Sequence, residues 1–158
     1  MRTPASIKRH PVHPMLITLP IGLLIFSLIS DIIFLANWGP PVWRSVALYT
    51  LGGGIITALI AAIPGLIDYT WLAPGKVKNT ATKHLILNLS MVAVFVVDFW
   101  IRWQNPASRG VPFTLSIVGV LILFYAGWLG ADLVHEHHVT VSEEQQKPAT
   151  IVDYRKAA

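Results

Sequence analysis

Four long apolar stretches govern what this chain can fold into: residues 15–36, 45–67, 84–101 and 113–134. Each runs for 18 to 23 residues, and about 20 helical residues cross a hydrocarbon core of ~30 Å at ~1.5 Å per residue. The only charged side chains inside them are Asp31, Asp98 and Asp132, and no Lys or Arg interrupts any of the four. Composition agrees, with 13% of the residues charged and 54% hydrophobic. That is about half the charge of a soluble globular domain, which argues against a soluble enzyme. The first stretch is too long for the apolar part of a cleaved signal peptide and lacks a small-residue cleavage site. The run Asn37-Trp38-Gly39-Pro40-Pro41 that follows it reads as a turn. The expected fold is therefore all-α, an integral membrane four-helix bundle running up, down, up, down. Residues 15–141 form the membrane domain, 1–14 a leading segment and 142–158 a polar tail.

The cations give an orientation. One side collects Arg2, Lys8, Arg9, Lys76, Lys78, Lys83, Lys147, Arg155 and Lys156, and the other only Arg44, Arg102 and Arg109. Cytoplasmic loops carry the excess of Lys and Arg, so both termini are expected in the cytoplasm of a bacterial inner membrane. The basic balance is then a matter of topology. The cations are scattered over three segments without a reader motif, so lipid is expected as the partner and nucleic acid is not.

All six histidines fall at the end of the bundle where the termini lie. His10 and His13 belong to the run His10-Pro11-Val12-His13-Pro14, His84 opens the third stretch, and His135, His137 and His138 close the fourth. Clustered imidazoles are what haem iron or a divalent metal ion needs, although interfacial histidines also occur with no ligand. Residues before proline avoid the α region, so the HPVHP run is expected to be extended or turned and free to fold back over the bundle end. His84 and Asn88 share a helix face at i, i+4. On the fourth helix Gly130 lies beneath His137, while Gly127 shares a stripe with Ala131, His135 and His138. Small residues there, and at Gly52-Gly53-Gly54, leave room for a flat macrocycle or for a closely packed helix.

The carboxylates divide by depth. Asp98 has Arg102 one turn on and is expected to form an interfacial ion pair, with Asp31 toward the same face. Asp68 and Asp132 belong to the histidine end. There a carboxylate could orient a liganding imidazole through its second N–H, or Asp68 could simply cap a helix end. The chain has no cysteine, which removes disulfides, iron–sulfur clusters, thiol nucleophiles and c-type haem attachment. No P-loop, GxSxG or HExxH motif occurs, and four helices without a mid-membrane charge offer little for a transport path.

These residues together resemble a family of small four-helix bacterial membrane proteins classed as a domain of unknown function. The resemblance rests on His10-Pro11-Val12-His13-Pro14, Leu19-Pro20-Ile21-Gly22, Gly65-Leu66-Ile67-Asp68 and His84. It continues through Gly127-Trp128-Leu129-Gly130 to Leu133-Val134 and His137, covering about residues 10–141. The sequence departs from the pattern in carrying His135 and His138 beside His137. The resemblance implies His10, His13, His84 and His137 as the family-matching imidazoles. The fusion of some relatives to Rieske-type domains implies a redox setting. Three functions follow as expectations. One is a membrane electron carrier with one or two b-type haems on bis-His ligation from these four residues, with Asp68, Asn88 and Asp132 around them. The second is a site for a non-haem divalent metal ion, in which His135 or His138 could also take part. The third is an accessory subunit of a larger membrane or redox complex, without a cofactor. An electron carrier or accessory subunit is favoured over a stand-alone enzyme.

Overall fold

The structure, a computed structural model, describes residues 4–8 and 10–135. A small hairpin of β1 (Ser6–Ile7) and β2 (His10–Pro11) precedes five helices: α1 (Val12–Leu16), α2 (Thr18–Leu35), α3 (Val42–Thr70), α4 (Lys76–Gln104) and α5 (Gly110–His135). Taken together, α1 and α2 form one span, Val12–Leu35, so four helical units are long and apolar enough to cross a membrane.

The break between α1 and α2 is chemical. Helical bonding would run from the amide of residue 20 to the carbonyl of Leu16, and Pro20 has no N–H to give. Pro14 is tolerated because the first turn of α1 needs no amide donors. His13 is accordingly helical although it precedes a proline, and only His10–Pro11 is extended. The β hairpin turns at Lys8, which has φ 47°. It lies against α3 near Ile60, Ile63 and Ile67, so it does not cross the end of the bundle.

α4 begins well before the apolar stretch, at Lys76, which places His84 two turns inside the helix. Gly75 makes the start possible by adopting φ 146°, a region closed to most side chains. Lys78 then reaches back and donates from Nζ to the carbonyl of Leu72 at 3.1 Å, satisfying an acceptor at the end of α3. The Tyr69 hydroxyl meets Thr82 Oγ1 at 3.0 Å, closing the connection.

Consecutive helices are antiparallel, and the core between them is Leu24, Leu51, Met91, Phe95, Val120 and Leu123. α2 packs on α3 through Leu24 over Gly54, and α4 packs on α5 through Phe95 over Gly119. These contacts are equivalent. The separation of 71 residues that divides Asp31 from Arg102 also divides Leu24 from Phe95 and His13 from His84. A second constant offset relates Arg44, Gly54, Ala61 and Gly65 to Arg109, Gly119, Ala126 and Gly130. The bundle is thus two like helical hairpins. Two equivalent pairs meet each other, His13 with His84 and Asp31 with Arg102. Self-contact of equivalent residues is the mark of a two-fold axis, and here a pseudo-two-fold runs along the bundle between its two ends.

The glycines test this packing directly. A Cβ at Gly119 would stand 2.5 Å from Phe95 Cζ, and one at Gly54 would stand 2.6 Å from Leu24 Cδ2, whereas Gly22 has nothing within 4 Å. Gly119→Ala and Gly54→Ala should each destabilise the protein by about 1–3 kcal/mol. Gly22→Ala should be neutral or slightly stabilising, as expected for a glycine replaced within a helix. Thermal unfolding of the three variants in detergent measures the difference.

Candidate functional site

Two polar clusters lie on the pseudo-two-fold axis, one at each end. At the first, α1 supplies His13 and α4 supplies His84. Their ring centres are 6.4 Å apart and their planes are nearly perpendicular, at 87°. His13 Nδ1 is 2.8 Å from the carbonyl oxygen of Ala61, and His84 Nδ1 is 2.8 Å from that of Ala126. A carbonyl only accepts, so each Nδ1 is the donor, and in a neutral ring Nε2 is then the acceptor. The two backbone acceptors are equivalent positions on α3 and α5. Each has a glycine one turn further on, and a Cβ at Gly65 would stand 2.9 Å from His13, one at Gly130 3.0 Å from His84. Any side chain there would collide with the imidazole. On α3, Pro64 also lacks the amide that would bond the carbonyl of Ile60, which loosens the helix beside the Ala61 acceptor.

Asn88 is the one partner without a symmetric counterpart, since the equivalent position is Ile17. Its Nδ2 donates to the carbonyl of His84 at 2.8 Å and sits 3.2 Å from His84 Nε2. The expected i, i+4 pairing of these two residues is therefore present. Asp68 is buried and accepts the amide of Ala5 through Oδ1 at 3.0 Å. It fixes the β hairpin, and through it the start of α1, so it positions His13 through the backbone.

The remaining candidates stand elsewhere. His10 is exposed and its Nδ1 meets the carbonyl of Lys8 at 3.0 Å, so the structure does not bring it to the pair. Asp132 is half-buried near the end of α5. His135 ends α5, and its side chain, like His137 and His138, lies outside the described residues. Gly130 packs on His84, and its expected place beneath His137 falls outside the described residues. Gly127 is exposed with open space around it, while Gly52 and Gly54 face Phe99 and Leu24. The middle glycines thus serve helix packing. Among the described residues no group of three or more His, Cys, Asp or Glu side chains is placed to share a metal ion.

At the opposite end Arg102 is the hub. Its Nη1 and Nη2 donate to Asp31 Oδ1 and Oδ2 at 2.7 Å and 2.6 Å, its Nε to Asp98 Oδ1 at 2.8 Å, and Nη2 also to Ser116 Oγ at 2.9 Å. Ser116 in turn donates to Asp98 Oδ2 at 2.9 Å. The Asp98–Arg102 pair expected from the sequence exists, and it is buried among the helices, with Asp98 at 0% and Arg102 at 8% exposure. Not anticipated from the sequence were Ser116 and the pairing of Arg102 with Asp31, which was placed only toward the same face. Only the position of Asp31, one charge in an otherwise apolar helix, could have signalled a partner on another span.

Residues 9–143 match the family model of the predicted membrane protein DUF2231, and the chain belongs to that family. No curated protein and no solved structure shows a significant similarity to it.

Arg102→Gln would leave two carboxylates facing each other without a counter-charge, and should cost about 3–5 kcal/mol. Arg102→Lys keeps the charge but loses the fork that serves both carboxylates, and should fall between. Chemical or thermal unfolding of the detergent-solubilised variants gives the order.

Proposed function

We propose that this member of the DUF2231 family is an electron-carrying protein of the bacterial cytoplasmic membrane, with His13 and His84 as the two axial ligands of one b-type haem. The observation that carries the reading is the matched pair of contacts from His13 Nδ1 and His84 Nδ1 to backbone carbonyls. Both Nδ1 atoms are spent on backbone carbonyls of the next span, which leaves Nε2 as the ligating atom of each ring, with Asn88 Nδ2 3.2 Å from that of His84. A ring N–H held by a backbone carbonyl is a usual way of orienting a metal-bound imidazole. Two imidazoles on opposite sides of one metal ion, with bonds of about 2 Å, place their ring centres roughly 6 Å apart. The observed 6.4 Å suits that ligation.

A pair of imidazoles matches what a haem asks of a protein. Structural zinc takes four protein ligands and catalytic zinc three, whereas a haem asks the protein for two. The described residues offer a pair. The haem would supply one-electron chemistry, while the chain's part is to hold two neutral imidazoles in an apolar bundle and to keep Asn88 beside His84. A macrocycle needs the two hairpins to separate at this end. Near His13 the first span is already interrupted at Ile17, between α1 and α2.

The nine-to-three distribution of cations supports cytoplasmic termini and a haem near the cytoplasmic face. Cysteine labelling tests the orientation. Trp38→Cys and Ala107→Cys should react with an impermeant reagent added outside intact cells, and labelling only after lysis would reverse the topology.

Optical spectroscopy tests the cofactor. Protein expressed with ample haem should show a low-spin Soret band and sharp reduced bands. His13→Ala and His84→Ala should each abolish them or convert them to high spin, and His10→Ala should leave them unchanged. A pure, folded preparation without a Soret band overturns the haem reading. Metal analysis of the same sample then decides whether the imidazole pair holds an ion instead.

A further inference from the structure

The end of the bundle opposite the histidines contains a cavity of about 440 Å³, within the range of small-molecule sites. Asp31 and Arg102 border it, Phe34 and Trp103 supply apolar wall, and Arg44 and Arg109 line it as well. All three arginines of this end therefore converge on one space, although they come from three different parts of the chain.

Their situations differ. Arg102 gives its donors to Asp31, Asp98 and Ser116. Among the described residues, the ion pairs are those of Arg102 with Asp31 and Asp98, and no carboxylate pairs with Arg44 or Arg109. Arg44 is half-buried, and the Arg109 guanidinium lies 5.1 Å from the centre of the Phe34 ring. Three guanidinium groups against two carboxylates leave an excess positive charge. The two unpaired ones are equivalent across the pseudo-two-fold, so they flank the cavity as a pair. Each also stands at the start of a helix, α3 or α5, where the helix dipole adds to the positive field instead of opposing it. Walls of low polarity strengthen that field inside the cavity.

We propose that this cavity binds the phosphate group of an amphiphilic molecule, held between Arg44 and Arg109, with the apolar part against Phe34 and Trp103. A guanidinium pair matches phosphate oxygens with paired N–H donors. The hydrophobic wall and the position at the end of four membrane spans fit an anionic phospholipid headgroup. Free phosphate offers the same chemistry to the arginines without the apolar contact.

The test uses the full-length protein in nonionic detergent, titrated with short-chain phosphatidylglycerol, short-chain phosphatidylcholine or inorganic phosphate, and followed by thermal unfolding and native mass spectrometry. Phosphatidylglycerol should raise the unfolding midpoint and remain bound. The double variant Arg44→Gln, Arg109→Gln should need at least tenfold more of it, while its ligand-free midpoint stays near wild type because the Arg102 network is intact. Binding by the wild type should also weaken steeply as salt rises from about 50 to about 500 mM, through screening of the exposed charges. This second measurement needs no variant. An equal response to inorganic phosphate would support the arginine site and name its occupant as soluble. Equal retention of phosphatidylcholine, salt-insensitive binding, or an unimpaired double variant would each overturn the proposal.

Discussion

A polar atom buried in a hydrocarbon slab has no water to turn to, and the placement of the polar side chains in this bundle follows from that. An unsatisfied group there costs several kcal/mol, so the buried hydroxyls and charged groups within the spans find partners inside the protein. Serines and threonines bond back to their own helices, as Ser30 does to Phe26 and Thr57 to Gly53, or across to a neighbour, as Ser27 does to Ala47. The larger polar groups cannot be served within one helix. They collect on the axis, where four helices meet, and leave the outer surface to residues such as Ile56, Leu59, Ile63, Leu121 and Phe124, which stay exposed where lipid would lie.

The pseudo-two-fold explains why this collection succeeds at two levels. Two hairpins built alike, with a large side chain over a glycine in the middle and an imidazole over a glycine near one end, pack alike. Their equivalent residues are then brought face to face. Facing equivalents are a hazard if they carry the same charge, and at the arginine end the sequence avoids it by placing Asp31 opposite Arg102. Asp98 then departs from its equivalent, Ser27, and Ser116 from Leu51. These departures supply a second carboxylate and a hydroxyl that fill the remaining donors of the guanidinium. A buried charge network of this kind contributes little net stability over an apolar packing, but it is costly to break. Its consequence here is to fix the register of the two hairpins at that end.

Much of this was legible in the sequence. The apolar lengths fixed the number of spans because the bilayer sets a minimum that few soluble helices meet. Helical spacing gave Asn88 beside His84 and Asp98 beside Arg102, since both are contacts within one helix. What lies between helices was hidden. Asp31 joins Arg102 across 71 residues, and no local pattern announces it. That Gly130 packs on His84 of the neighbouring helix was hidden as well, because register between helices depends on packing that a single sequence does not display. The start of α4 was misjudged for another reason. Lys76, Lys78 and Lys83 interrupt the apolar signal without interrupting the helix, and Lys78 in fact helps to end α3. The internal repeat escaped notice because its halves share only scattered positions, chiefly the histidines, arginines and glycines that the packing requires.

The two axial pairs also differ in what they leave over. Asp31 and Arg102 are opposites, so meeting on the axis satisfies both. His13 and His84 are alike, their ring centres are 6.4 Å apart, and each has already given Nδ1 to a carbonyl. Two acceptors cannot satisfy each other. Asn88 relieves His84 by donating to its Nε2, but Ile17 at the equivalent position has nothing to offer His13. Symmetry that resolves itself at one end is therefore left unresolved at the other. This asymmetry, more than the number of histidines in the chain, makes the imidazole pair the place to look for function.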